Sequence, residues 1–210
     1  SDHIGDLPLI NIDQQWPMFL MDANILACIR TFTVPDKDQK KQTATLFKEN
    51  LATVTAPNSH EEFREKMKPL ILEHTEILLV AYLLTMCMFG FMLCHERAHH
   101  NLRHLEKSED KQLELDADEK GFEYLTRVST QFEQLQFLKI PPNMLSAPII
   151  AMHYLYGLEK IGVISTTNSH PHAMQRIHNL HELFNNVADD EAHYLYDGLK
   201  MGCEELIDQI

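Results

Sequence analysis

Apolar positions along this chain recur mostly at helical spacing, and the longest apolar stretch runs straight into a cluster of imidazole and charged side chains. Residues 77–94, ILLVAYLLTMCMFGFMLC, carry no charge and predict a buried helix reaching from about Glu73 to His104. Upstream, residues 38–54 predict a charged helix. Pro57-Asn58-Ser59 predicts a turn, and Ser59 with Glu62 has the spacing of a capping box for a helix that meets Pro69. Downstream, Ser108 is placed to cap a helix running to about Phe132, with Glu109 and Asp110 suited to the positive end of its dipole. Ile140-Pro141-Pro142-Asn143 closes that section, and three more helices are predicted over 147–160, 172–187 and 189–208. Only Leu7–Ile12 and Ile25–Val34 have the composition of strands, and the second fits a helix equally well. The fold class is mainly α, or α+β with at most a small sheet near the N-terminus.

The length of 210 residues suits a single domain, read as an N-terminal segment of about 1–57 packing on a core of 58–210. A net charge of −13 excludes nucleic acid as an expected partner, because phosphate binding needs clustered Lys and Arg. Cys28, Cys87, Cys94 and Cys203 are scattered with no C-x-x-C pair, which points to free thiols in a reducing compartment. No charged segment followed by an apolar one opens the chain, so the expected location is cytosolic, or secreted without a cleaved signal. Residues 77–94 reach the lower edge of membrane-spanning length, but Tyr82, Thr85 and Gly90 interrupt them, and a core helix without membrane contact is the expectation.

The chemistry lies in His95-Glu96-Arg97-Ala98-His99. Residues four apart on a helix share a face, so His95 and His99 can hold one metal ion together. Glu96 is rotated by about 100° from His95, where it reaches water at the ion without ligating it, the position of a general base. Cys94 points elsewhere for the same reason. His100 and His104 fall on other parts of the helix, as surface or supporting residues.

A catalytic zinc usually takes three protein ligands and keeps one position open. Glu114, Ala117, Asp118 and Gly121 share one face of the following helix, offering two carboxylates between residues small enough for close approach. The 15 residues from His99 to Glu114 suffice to finish one helix, turn and bring the next alongside. Glu114 is the expected third ligand, and Asp118 the acceptor for the distal nitrogen of a ligating histidine. A third histidine at 105, as in metzincins, is absent because that position is Leu105.

With these residues assembled, the chain resembles the gluzincin zinc peptidases of the HtpX and CAAX-prenyl-protease type, which carry H-E-x-x-H, then E-x-x-A-D, then H-P followed by R-I. The last pattern stands here as His170-Pro171 and Arg176-Ile177. The resemblance implies a zincin-like core, one Zn2+ on His95, His99 and Glu114, Glu96 as base, and His170 as donor to the substrate carbonyl or oxyanion. Tyr154 and Tyr156 stand in reserve for that last role, and His172 is a further functional candidate beside His170. Arg176 would anchor the acidic residues near the metal. The implied activity is that of a metalloendopeptidase acting on a protein substrate, and an acidic chain of this size is similar to bacterial effector proteases that cut a host protein such as actin. A membrane quality-control peptidase and a non-enzymatic helical module are the alternatives.

Overall fold

Eight helices dominate the computed structural model, which describes residues 3–4, 7–8, 15–56, 59–104, 110–135, 142–165 and 171–210. They are α1 Gln15–Phe32, α2 Lys37–Thr53, α3 His60–Glu73, α4 Leu78–Asn101, α5 Lys111–Leu135, α6 Ala147–Lys160, α7 Ala173–Asn185 and α8 Asp190–Ile207. Short 3-10 turns, Thr75–Ile77 and Pro142–Ser146, lead into α4 and α6. Among the described residues the β content is one antiparallel pairing of β1 His3–Ile4 with β2 Leu7–Pro8; residues 9–12 of the expected N-terminal strand lie outside the described residues. The chain is mainly α.

Helix α1 lies at the centre, packed on α2, α4 and α8. Its Phe19, Leu20, Ala23, Leu26, Ala27 and Ile29 are buried, each large aliphatic or aromatic side chain contributing about 2 kcal/mol. Residues 25–32, eligible for a strand by composition, therefore complete this helix: nearly every position is enclosed, and helix-on-helix packing overrides β-branched preference. A buried polar chain ties three helices together. The Tyr154 hydroxyl of α6 donates to Asn24 Oδ1 at 2.8 Å, Asn24 Nδ2 donates to Thr85 Oγ1 of α4 at 2.9 Å, and Thr85 donates to the Ala81 carbonyl at 2.8 Å.

Several local expectations are corrected. Ser59 stands at the N-cap of α3, but its hydroxyl donates to the Ala56 carbonyl, so no capping box forms with Glu62. Pro69 lies inside α3 and does not end it. Asp110 accepts from the Gln112 backbone N–H at 3.0 Å and so caps α5; Ser108 and Glu109 lie outside the described residues. Helix α4 stops at Asn101, three residues before His104.

Nor is α4 buried all round. Ala81, Leu84, Cys87, Met88 and Phe91 face the core, whereas Leu79, Tyr82, Met86 and Leu93 form an exposed stripe along the other side. Thr75–Asn101 is the one segment among the described residues long and apolar enough to cross a membrane, and 39% of its apolar window is buried within the protein.

Candidate metal centre

The candidate site forms where the C-terminal turns of α4, the first turns of α5 and the start of α7 meet. The close approach of α4 and α5 is set by small residues. Ala98 and Ala117 are fully buried. Gly121 lies so near α4 that a Cβ on it would stand 3.0 Å from both Cα and N of His95. That distance is below ordinary contact, and a fixed backbone cannot yield as a flexible side chain would. The small face predicted on α5 is thus what brings Glu114 to the histidines.

His95 Nε2 and His99 Nε2 stand 3.0 Å apart, and each lies 3.4 Å from an oxygen of Glu114. Among the described residues these three form the group whose donor atoms converge as metal ligands do. Ligand atoms at about 2.0–2.2 Å from a tetrahedral ion stand about 3.3–3.5 Å from one another, so the two edges to Glu114 match one ion in size and the 3.0 Å edge between the histidines is shorter. Two imidazole nitrogens and one carboxylate oxygen are also the donor types of catalytic zinc.

The electrostatics favour a cation at the same point. Burial of the His95 ring opposes charge, yet contacts with Asp118 and Glu114 outweigh it and push the imidazole up to about 9, with Arg176 partly offsetting them. Burial likewise raises Glu114, but His95, His99 and Arg176 together hold its carboxyl well below the usual range. A pocket that draws a proton onto a buried imidazole is one that a metal ion can fill with the same sign of charge.

Behind the converging atoms stands a second layer. Asp118, fully buried, places Oδ1 3.0 Å from His95 Nδ1. Arg176 clasps that carboxylate with two hydrogen bonds, Nε to Oδ2 at 2.7 Å and Nη2 to Oδ1 at 2.6 Å, and its Nη1 lies 3.7 Å from Glu114. Arg176 reaches the site because α7 buries Ala173, Ile177, Leu180 and Phe184 on one face, fixing the rotation of the helix.

Of the three carboxylates expected around the site, Glu114 and Asp118 stand beside His95. The third, Glu96, is exposed on α4 one residue from His95. His170 lies outside the described residues. Tyr154 is excluded as an oxyanion donor, since it is buried in the core and bonded to Asn24. His172 caps α7 by accepting from the Met174 N–H at 3.2 Å and contacts Glu159 at 3.3 Å, with Tyr156 beside it. His100 is exposed, as expected, and Cys94 is not among the converging donors.

The peptidase U49 family model matches residues 28–196, which span α4, α5 and α7 with all five residues of the cluster. The chain belongs to the peptidase U49 family. No curated protein and no solved structure matches it. Membership makes peptide-bond hydrolysis the reaction class of this U49 chain. His104 is the residue that helical periodicity assigned wrongly: it is not on α4 at all, and its ring lies against His99. Nothing in the local pattern signals this, because the contact depends on where the helix stops.

Proposed function

We propose that this U49 peptidase is a zinc-dependent endopeptidase, with His95, His99 and Glu114 holding the ion. The carrying observation is the convergence of those three donors at ligand-to-ligand spacing in a chain of a peptidase family. When bound, zinc supplies a Lewis acid that polarises a peptide carbonyl and acidifies water. Glu96 is the general base: its carboxylate takes a proton from the attacking water and returns it to the leaving amine nitrogen. His170 donates to the oxygen on which charge develops. Asp118 Oδ1, 3.0 Å from His95 Nδ1, pairs with that side of the ring and so leaves Nε2 to face the ion, while Arg176 balances the carboxylates of Asp118 and Glu114.

The substrate is a protein. Actin is the specific candidate that the likeness to effector proteases supplies, and incubation of the zinc-loaded chain with purified actin tests it by gel. Glu96→Gln should keep zinc content and melting temperature while lowering proteolysis on the order of 10²–10⁴-fold. Wild-type rates in that variant would remove Glu96 from the mechanism. Family membership speaks against a non-enzymatic module.

The exposed stripe of Leu79, Tyr82, Met86 and Leu93 favours a second setting for the same chemistry, a peptidase working at a membrane. Flotation with lipid vesicles separates the two: a chain that stays at the bottom of the gradient acts on protein in solution.

A further inference from the structure

The two histidines of the cluster are oriented by unlike partners. His95 has the Asp118 carboxylate, itself held by Arg176. His99 has a third imidazole: His99 Nδ1 and His104 Nδ1 stand 2.9 Å apart, with ring centroids at 5.0 Å and planes at 74°. On an unbroken helix, residues five apart point about 140° away from each other, so this contact cannot arise from helical spacing. It arises from the way α4 ends. Leu102 N–H closes on the Ala98 carbonyl at 2.9 Å and Arg103 N–H on the His100 carbonyl at 3.1 Å. Arg103 then takes φ +55°, a left-handed conformation that side chains with a Cβ enter at a cost. It is the sole non-glycine residue with positive φ among those described, and it turns the chain so that His104, only 5% exposed, lies under His99.

A nitrogen-to-nitrogen distance of 2.9 Å needs one proton between the two atoms. A neutral imidazole has one N–H and one lone pair. If His99 gives its Nε2 lone pair to a cation, its proton must sit on Nδ1 and point at His104. His104 must then accept through Nδ1 and carry its own proton on Nε2. From this chain of constraints we propose that His104 is a positioning residue: it fixes the tautomer and ring orientation of His99 and thereby sets the metal affinity of the site. This rests on the assignment of His95, His99 and Glu114 as ligands. The atom of His104 in contact is beside His99 Nδ1, on the far side of the ring from the converging Nε2 atoms, so its place is behind a ligand.

The test is metal affinity of the full chain, measured by competition with a chromophoric chelator for zinc and by the visible spectrum of the cobalt(II)-substituted protein. His104→Phe retains the ring volume but cannot accept a hydrogen bond, and should weaken zinc binding about 10–100-fold with a shifted cobalt spectrum. His104→Gln offers a carbonyl oxygen to His99 Nδ1–H and should recover part of the affinity; recovery separates orientation from packing, since Gln packs worse than Phe. In a His99→Ala background, His104→Phe should change affinity no further. Equal zinc affinity in wild type and His104→Phe, or equal losses in the Phe and Gln variants, would overturn the positioning role while leaving the three ligands standing. A cobalt spectrum that gains intensity expected of an added nitrogen ligand, lost in both variants, would overturn it in favour of direct ligation. Failure of the wild-type chain to take up either metal would remove the ligand assignment, and the positioning role with it.

Discussion

Two buried polar clusters in this bundle solve the same problem in opposite ways. In the centre, Tyr154, Asn24 and Thr85 hand hydrogen bonds from one to the next and end on a backbone carbonyl. All three are uncharged, and their donors and acceptors are used inside the core. At the end of α4, His95, His99 and Glu114 instead bring their nitrogen and oxygen atoms to a common point, backed by the Asp118–Arg176 pair. A cluster that closes on itself holds helices together. One whose ligand-type atoms converge can receive a positive charge, and the close α4–α5 contact at Gly121 holds it together.

The contrast is broken most forcefully at Arg176. Arg176→Ala leaves the Asp118 carboxylate buried without its clasp and should cost about 3–5 kcal/mol, which thermal unfolding would read as a fall of about 6–20 °C in Tm. An unchanged Tm would show that the pair does not support the site. Gly121→Ala places a methyl against the His95 backbone and should cost about 1–3 kcal/mol while weakening zinc binding, because α5 carries Glu114; zinc titration of the folded variant checks the second effect. Tyr154→Phe opens the closed network and should cost about 1–2 kcal/mol, with zinc affinity unchanged. Loss of metal in that variant would mean that the two clusters are coupled through α4.

Acid gives the smallest effect and sharpens the comparison, since part of any loss arises outside both clusters. Burial, with a smaller push from Lys200, holds the His153 imidazole down at about 4 against an ordinary 6.5. Between those values the unfolded chain binds a proton that the folded chain refuses. The stability from His153 is therefore complete above pH 6.5 and is lost as pH falls toward 4, about 1 kcal/mol of it by pH 5.5. Unfolding free energies from urea titration at pH 7.5 and 5.5 should converge by that amount in His153→Leu relative to wild type.

How far each feature was legible follows from its range along the chain. The i, i+4 spacing of His95 and His99 and the Glu-Ala-Asp-Gly face of α5 are local facts, and a helix converts them into shared faces without further information. The helices over 147–160 and near 172–187 were legible for the same reason. Pro69 misled because a proline signals a break whose cost tertiary packing can absorb. The uncharged run at 77–94 named a helix, but its composition is the same on every side, so it held no clue that Leu79, Tyr82, Met86 and Leu93 would stay uncovered.

By itself, then, the sequence determined a helical chain with two imidazoles and two carboxylates on facing helical surfaces, because helix geometry is periodic and dictated by neighbours a few residues apart. Tertiary structure alone decided which neighbours those groups meet. Arg176 is 58 residues from Asp118, and its contact depends on how α7 seats its apolar face. His104 is five residues from His99, yet their contact depends on a single left-handed residue at Arg103. Backbone reversal and long-range packing are set by the summed fit of the whole bundle, which no local spacing encodes.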